Sequence, residues 1–234
     1  MKNLAIIPAR FGSKGLKDKN IKLLNGKPLL AYTIEAAKKS RLFDEIMVST
    51  DSEEYAKIAR EFDAEVPFLR SKELSNDTAS SWDVVKEVIR RYQGLHSIFD
   101  TVALLQPTSP MRSSTDIVEG YKKMEEKNAN IIIGVCEVDH SPLWSNTLTK
   151  SDSMIGFIKP EFVKMPRQSL PIYYRINGAL YIIKVDYLMK AKDIYANKSF
   201  AIVMDKEHSV DIDDNLDFLI AEMLMKCSGN LNSK

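Results

Sequence analysis

The densest group of residues that could bind a charged ligand lies between Pro8 and Asn20. The segment follows a short apolar run, Leu4–Ile7, which reads as a buried strand, and it contains four cations and two glycines: Arg10, Lys14, Lys17, Lys19, Gly12 and Gly15. Glycines let backbone N–H groups approach a ligand closely, and the cations supply positive charge. The pattern predicts a site for a polyanion such as a nucleoside triphosphate; a solvated basic loop is the alternative interpretation.

This loop matches neither of the two common phosphate-binding motifs. A Walker A loop requires Ser or Thr after its Gly-Lys pair, and here Gly26-Lys27 is followed by Pro28. The Gly-x-Gly-x-x-Gly fingerprint of dinucleotide-binding proteins is absent from the sequence. We therefore expect side-chain cations to hold the phosphates as much as a helix N-terminus does.

A pair of carboxylates near the other end of the chain forms the second candidate site. Alternate residues of an extended chain face the same way, so Asp211 and Asp213 can face one point while Ile212 packs inward. In proteins Mg²⁺ is typically bound by one or two carboxylates together with substrate phosphates. Asp213 or Asp214 could instead cap the helix predicted to follow, and the two interpretations are compatible.

Two further segments could contact a ligand. Arginine binds a carboxylate through two hydrogen bonds, so Arg167 or Arg175 could hold an acidic substrate. The Asn177-Gly178 pair that follows is also explained by a simple turn. The polar cluster at 77–81 precedes a predicted helix and has the composition of an N-cap region, although its hydroxyls and backbone groups could also recognise a base edge.

Composition excludes several classes of protein. The 234 residues are 44% hydrophobic and 28% charged, and the net charge of +1 does not favour binding to nucleic acid or to an anionic membrane. Two distant cysteines and three unclustered histidines do not suggest a disulfide framework or a zinc site. The sequence shows no apolar run long enough to span a bilayer and no signal-peptide pattern, so we expect a cytoplasmic protein.

Predicted strands alternate with predicted helices through the first two-thirds of the chain. The strands are Leu4–Pro8, Glu45–Ser49, Thr101–Leu105 and Asn130–Cys136, and the helices are 29–39, 53–62, 80–92 and 115–127. This alternation predicts a single α/β domain over residues 1–234, with a mostly parallel, Rossmann-like sheet covered by helices on both faces.

The alternation breaks after His140. Residues 141–172 contain four prolines and little periodicity, so we expect an excursion from the sheet. Regular structure is predicted to return at 176–183, 201–204 and in a closing helix over 215–226, with a frayed polar tail from residue 228.

Polar residues follow three predicted strands at the point where each strand ends. They are Arg10–Asn20, Ser49–Asp51 and Gln106–Pro110. Ligands of open parallel sheets bind beyond the carboxyl ends of the strands. The three segments are therefore expected to converge on one nucleotide site.

Together these motifs resemble the acylneuraminate cytidylyltransferases, or CMP-sialic acid synthetases. The matching segments occur in the order seen in that family and extend over nearly the whole chain: Ile7–Asn20, Ser49–Asp51, Glu73–Ser81, Leu104–Pro110, Pro166–Gln168, Asn177–Tyr181 and Asp211–Asp213. Each match alone is weak, but seven in order are specific.

The resemblance implies a nucleotidyltransferase of nucleotide-sugar biosynthesis, which joins CTP to a nine-carbon sialic acid and releases pyrophosphate. The implied CTP contacts are Arg10, Ser13, Lys14, Lys19, Asn20, Arg70, Ala79 and Ser81, of which Asn20 would meet the ribose and the last three the cytosine. The implied sugar contacts are Gln106, Arg167, Arg175, Asn177 and Tyr181. Mg²⁺, with Mn²⁺ as a substitute, would be bound by Asp211 and Asp213.

Three of these residues are expected to act in the reaction itself. Arg10 and Lys19 would stabilise charge on the leaving pyrophosphate, and Asp211 would accept the proton of the attacking hydroxyl. The resemblance also implies a homodimer in which the excursion at 141–172 reaches the partner's site, so that Arg167 acts across the interface.

One residue departs from the family pattern and leaves the sugar open. Enzymes for ordinary sialic acid often place a lysine where this chain has Trp144, and the change removes a cation and adds apolar surface. The resemblance implies N-acetylneuraminic acid or a close relative as the substrate. The change at Trp144 leaves the less hydroxylated legionaminic and pseudaminic acids as alternatives.

Two other functions compete with this interpretation. Cytidylyltransferases for an eight-carbon sugar acid share the Pro-Ala-Arg opening, but they usually have a threonine-arginine pair where this chain has Lys14-Gly15. A non-catalytic nucleotide-binding module is compatible with the fold class. The joint presence of Arg10, Lys19, Asp211 and Asp213 speaks against a module without activity.

Overall fold

A six-stranded sheet forms the centre of the structure, a computed structural model that describes residues 1–12, 15–76 and 78–231. The strands are β1 (Asn3–Pro8), β4 (Glu45–Ser49), β5 (Thr101–Leu104), β6 (Ile131–Glu137), β7 (Tyr174–Lys184) and β8 (Ser199–Val203). Two short strands, β2 (Leu23–Leu24) and β3 (Lys27–Pro28), form a separate antiparallel ribbon.

The strand order in the sheet is β4-β1-β5-β7-β6-β8. The pairs β1–β4, β1–β5 and β6–β8 are parallel, whereas β7 runs antiparallel to both of its neighbours. The prediction of a mostly parallel sheet is therefore confirmed, with β7 as the reversed strand.

Helices cover both faces of the sheet, as predicted. They are α1 (Leu29–Ser40), α2 (Glu53–Glu61), α3 (Ser81–Gly94), α4 (Ser114–Glu126), α5 (Pro160–Val163), α6 (Val185–Lys190) and α7 (Asn215–Leu231). In β1, Ala5 and Ile7 join the core under α1, α2 and α4, while Leu4 and Ile6 join the core under α3 and α6. Because β1 is buried on both faces, its sequence is continuously apolar rather than alternating.

A third, smaller core joins the two ends of the chain. Leu16, from the loop after β1, packs with Ile212 and with Phe218 of α7. Helix α7 continues to residue 231, so the prediction that the tail frays from residue 228 is wrong over residues 228–231. Helix propagation from a packed stretch costs little, which explains why weak helix formers follow it.

Residues 141–172 leave the sheet, as predicted, and contribute no strand to it. Their regular structure consists of α5 and two 3₁₀ turns, Pro142–Trp144 and Arg167–Ser169. We call residues 141–172 the arm. Of the helices in the described part of the chain, none combines the length and apolar character required for a bilayer span.

Candidate functional site

A cleft of about 540 Å³ opens at the carboxyl ends of β1 and β5. Its lining comes from four separate parts of the chain: Pro8, Arg10, Gly15, Lys19, Asn20, Arg70, Leu74, Asn76, Ala79, Ser81, Val84, Gln106, Pro107, Thr108, Asp211 and Asp213. Of the three segments predicted to converge at this edge, the loops after β1 and β5 line the cleft together with residues 211–213, whereas Ser49–Asp51 is not part of the lining.

The loop after β1 is fastened to the end of β4 and to itself. The backbone N–H of Ala9 donates to the carbonyl of Ser49 (2.9 Å), and that of Phe11 donates to the Asp51 carboxylate (2.8 Å). The Nδ2 of buried Asn20 donates a hydrogen bond to the carbonyl of Arg10 at 3.1 Å. These contacts fix the position from which the Arg10 side chain enters the cleft.

Lys19 joins the N-terminal loop to the carboxylate segment. Its Nζ donates to the carbonyl of Ile212 at 2.6 Å and lies 3.1 Å from Oδ1 of Asp213, and its side chain is only 12% exposed. Gly15 permits this approach, because a Cβ there would lie 2.5 Å from the Asp213 carbonyl oxygen. The N-terminal cation and the C-terminal carboxylates therefore meet in one cleft.

The Asp211–Asp213 segment alternates as the sequence predicts. Ile212 is fully buried and its N–H donates to the carbonyl of Thr108 at 2.8 Å, whereas the side chain of Asp213 is exposed. Asp214 caps α7, since its Oδ1 accepts from the backbone N–H groups of Leu216 and Asp217. The capping role thus falls to Asp214, while Asp211 and Asp213 line the cleft.

Asp211 carries an acceptor atom that the described residues leave unsatisfied. Its Oδ1 is buried without a hydrogen-bond partner among them. Burial, followed by the nearby charge of Asp213, raises the pKa of this carboxyl, while a hydrogen bond from Thr108 and the charge of Lys19 oppose the shift. A buried, unsatisfied carboxylate oxygen beside a second carboxylate is suited to a hard cation.

The donor set at this position consists of carboxylate oxygens, which suit Mg²⁺ and, among transition metals, Mn²⁺. Within the described ranges, no group of three or more His, Cys, Asp or Glu side chains could hold a metal ion. Two carboxylates alone leave most of a coordination shell to water and substrate phosphates, which is how proteins usually bind Mg²⁺.

Arg70 is a buried cation at the opposite wall of the cleft. Its Nε donates to Oγ of Ser49 (3.1 Å) and its Nη2 donates to the Ser49 carbonyl (2.6 Å). Burial, with a smaller contribution from Arg10, lowers the pKa of the guanidinium to about 10, so it stays charged at neutral pH. Ser80 caps α3 by accepting from Trp82 N–H, which places Ser81 at the first turn of α3, facing the cleft.

The residues implied for the sugar are divided between the cleft and its surroundings. Gln106 lines the cleft, and Arg167, Arg175, Asn177 and Tyr181 are not part of its lining. Arg167 lies in the arm, beside a second cavity of about 430 Å³, and donates to the Asp139 carbonyl at 2.6 Å. Exposed Arg175 donates to the carbonyl of Ser209 at 3.2 Å.

The other two residues implied for the sugar, Asn177 and Tyr181, both belong to β7. The Tyr181 ring packs edge-on against Trp82, with ring centroids 5.6 Å apart, and burial raises the pKa of its hydroxyl. Asn177 is 1% exposed and its amide is engaged inside the protein. The implied CTP contacts Ser13 and Lys14 lie outside the described residues.

Arg112 supports the cleft from beneath, and no sequence motif singles it out. It is buried, and its Nη1 donates to the carbonyls of Ala179 (2.7 Å) and Gln106 (3.2 Å). These two bonds tie the loop after β5 to β7. Burial lowers the pKa of this guanidinium to about 10. Arg112 lies two residues after Pro110, the last residue of the motif that follows β5, and this closeness is the sequence feature that could have indicated its role.

Comparison with known proteins identifies a family. A family model described as cytidylyltransferase matches residues 4–227. Over 225 residues the chain is 40% identical to an N-acylneuraminate cytidylyltransferase of Escherichia coli, an alignment that covers 94% of this chain and 51% of that protein. It is 36% identical to a CMP-N,N'-diacetyllegionaminic acid synthase of Legionella pneumophila, with 97% of each chain covered. The chain thus spans about half the length of the first relative and nearly all of the second.

A solved structure supports the fold. The structure of a CMP:2-keto-3-deoxy-manno-octonic acid synthetase complexed with CTP matches with a TM-score of 0.72, covering 97% of this chain and 100% of that chain. At 17% identity the match shows a shared fold and no more.

Proposed function

The chain belongs to the cytidylyltransferase family, and from this premise we propose that it joins CTP to a nine-carbon sugar acid of the sialic acid type. The products would be a CMP-sugar and pyrophosphate. One observation carries the proposal: Lys19 and the carboxylates of Asp211 and Asp213, distant in sequence, line the same cleft, and Lys19 is in contact with Asp213.

In this proposal the N-terminal loop holds the triphosphate. Arg10 and Lys19 lie where they can neutralise charge that develops on the β- and γ-phosphates as the bond to the α-phosphate breaks. Ser13 and Lys14 are proposed to add contacts to the same group. Mg²⁺, bound by Asp211 and Asp213, would withdraw charge from phosphate oxygens.

Asp211 is the proposed acceptor of the proton that must leave the sugar. The hydroxyl oxygen at the anomeric carbon forms a bond to the α-phosphorus, the bond from that phosphorus to the bridging oxygen breaks, and the hydroxyl proton passes to the carboxylate. Asp211 lines the cleft, and its buried Oδ1 has no hydrogen-bond partner among the described residues, which leaves this oxygen available for the proton.

The base and ribose would occupy the wall formed by Arg70, Ala79 and Ser81, with Asn20 below. Arg70 is buried and held rigidly by two hydrogen bonds to Ser49, so it is preorganised to meet a carbonyl oxygen such as O2 of cytosine. Because Ser81 is in the first turn of α3, its backbone N–H is not required for the helix's internal hydrogen bonding.

The identity of the sugar acid depends on the arm as well as on the cleft. Trp144 uses its indole N–H within the arm, donating to the carbonyl of Phe162 at 3.4 Å, and so offers apolar surface rather than a donor. This favours a less hydroxylated acid such as legionaminic acid over N-acetylneuraminic acid, and the relatives include both an N-acylneuraminate cytidylyltransferase (40% identical) and a legionaminic acid synthase (36% identical). Pseudaminic acid is the second alternative.

Pyrophosphate release tests the function directly. We expect release from CTP with at least one of N-acetylneuraminic, legionaminic and pseudaminic acids, and a loss of at least about 100-fold when Mg²⁺ is removed by a chelator. UTP and the eight-carbon acid serve as controls. No release with any acid would leave the non-catalytic nucleotide-binding module, and a clear preference for N-acetylneuraminic acid would contradict the inference from Trp144.

The arm is proposed to pair two copies of the chain, with Arg167 of one copy reaching the site of the other. It exposes several large apolar side chains, among them Ile155 at 94% and Leu148 at 61%. Sedimentation equilibrium should then give twice the chain mass of 26.6 kDa. Ile155→Asp should yield an inactive monomer, whereas Leu216→Asp, on exposed α7 surface, should not. A monomeric wild-type protein with full activity would contradict this arrangement.

A further inference from the structure

A bulge in β7 lies directly behind the cleft. Ile133 of β6 pairs with Tyr181, and Val135 pairs with Ile176, so residues 177–180 of β7 face the single residue Gly134. Gly178 within the bulge has φ +74°, a conformation that favours glycine. Bulges beside functional sites commonly redirect a side chain, and here the redirected side chain is Asn177.

The bulge turns the Asn177 amide into the protein interior. Its Oδ1 accepts from the backbone N–H of Ala179 at 3.1 Å, and its Nδ2 donates to Oγ of Ser209 at 2.9 Å. The space for this amide exists because position 134 is glycine: a Cβ there would lie 2.7 Å from Oδ1 of Asn177. The resemblance to a family places Asn177 at the sugar, yet its amide faces away from the cleft.

Ser209, the partner of Asn177, belongs to a segment that leads to the aspartates. We call residues 205–213 the strap. Ser209 is fully buried, and its Oγ also donates to the carbonyl of Asp205 at 2.8 Å. Asn177 therefore anchors the strap at a point two residues before Asp211.

We propose that Asn177 is a positioning residue that acts through Ser209 to hold the strap, and with it the Asp211 carboxylate, against the cleft. The proposal rests on the proposed function in that it takes Asp211 to act in the reaction. Other attachments of the strap include the contact of Ile212 N–H with Thr108, the Lys19 contacts, the Arg175 bond to the Ser209 carbonyl, the His208 contact with Asp116 (3.0 Å) and the Lys206 contact with Asp139 (3.0 Å). Asn177 and Arg175 are thus the points where β7 fixes the strap.

The test compares Asn177→Asp, Ser209→Ala and the double variant. Asn177→Asp keeps the size and the acceptor for Ala179 N–H but removes the donor to Ser209, and the milder Ser209→Ala removes the acceptor. Each single variant should lower kcat by about 10- to 100-fold with little change in KM for the sugar acid. Because both single variants break the same hydrogen bond, the one between Asn177 and Ser209, the double variant should lose little more activity than the worse single variant.

Hydrogen exchange supplies a readout independent of activity. Backbone amides of the strap should exchange about tenfold faster in each single variant of the unliganded protein. Asn3→Asp is the matched control, because it places a carboxylate at another buried asparagine, whose Nδ2 donates to the Leu42 carbonyl, without touching the strap. Strap exchange in that variant should equal that of the wild type.

A direct role of Asn177 in sugar binding gives the opposite pattern. Asn177→Asp would then raise KM for the sugar acid, leave strap exchange unchanged and add its full loss to that of Ser209→Ala, and this result would overturn the proposal. If the wild-type protein transfers no cytidylyl group, the proposed function fails, whereas strap exchange still decides whether Asn177 positions the strap.

Discussion

Asp211→Asn is expected to lower kcat by about 100- to 10,000-fold, the range associated with loss of a positioned proton acceptor. The asparagine matches the carboxylate in shape but cannot accept the proton and is a poor ligand for Mg²⁺. The loss should appear in kcat more than in KM for CTP, because the phosphate-binding cations are unchanged. Steady-state pyrophosphate release at saturating Mg²⁺ measures both parameters.

The same substitution should leave the fold at least as stable as the wild type at neutral pH. The pKa of Asp211 is raised in the folded protein, so folding favours the protonated carboxyl. Wild-type stability should consequently increase as the pH falls from above the folded pKa toward the unfolded pKa, and the neutral amide of the Asp211→Asn variant lacks the charge that causes this dependence. Wild-type kcat should fall over the same pH range as the base is protonated.

Asp214→Asn is the matched control for this prediction. Asp214 caps α7 and is not part of the cleft lining, and asparagine is an equally good cap. It should retain full activity and stability. Near-normal, Mg²⁺-dependent turnover of the Asp211 variant would show that Asp211 neither binds the metal nor accepts the proton.

Lys19→Ala is expected to lower kcat/KM for CTP by about 100-fold or more, through both parameters. Its ammonium group is proposed to supply charge for the phosphates, and it contacts the strap through the Ile212 carbonyl at 2.6 Å. Loss of the first role raises KM for CTP, and loss of the second lets Asp211 move and lowers kcat. Calorimetric titration with CTP, combined with steady-state kinetics, separates the two effects.

Lys17→Ala provides the comparison, because Lys17 is an exposed cation of the same loop outside the cleft lining. Its removal changes the net charge equally and should alter CTP binding by less than about threefold. Unchanged CTP affinity after Lys19→Ala would exclude this residue from phosphate binding. Its remaining role would then be to hold the strap through the Ile212 carbonyl.

Sequence patterns were most informative where one local feature decides the outcome. Continuous apolar runs identify the buried strands, and the alternation around Ile212 correctly predicts one buried side chain between two carboxylates. The sequence is less informative about strand pairing. The Asn177-Gly178 pair is compatible with a simple turn, but it forms a bulge within β7, because a sequence does not show how many residues of one strand oppose its neighbour.

Two other features escape prediction for different reasons. The first is the β2–β3 ribbon, which turns at Asn25-Gly26, where both residues have positive φ. An Asn-Gly pair is itself a signal for a hairpin, but here it overlaps the Gly26-Lys27 pair, which resembles part of a Walker A loop. The family resemblance assigns Arg167, Arg175 and Tyr181 to one pocket. None of the three is part of the cleft lining, and their positions relative to the cleft depend on where the arm and β7 run, which no local pattern encodes.

The bond between Lys19 and the Ile212 carbonyl joins residues 193 positions apart. During synthesis, residue 212 must leave the ribosome before this bond can form. The sheet core contributed by β1, β4 and β5 can consolidate earlier, because those strands all precede residue 105. A nascent chain that stops before residue 211 would therefore hold the core around β1 and β5 without the strap, and the cleft would be completed only after residues 211–213 emerge.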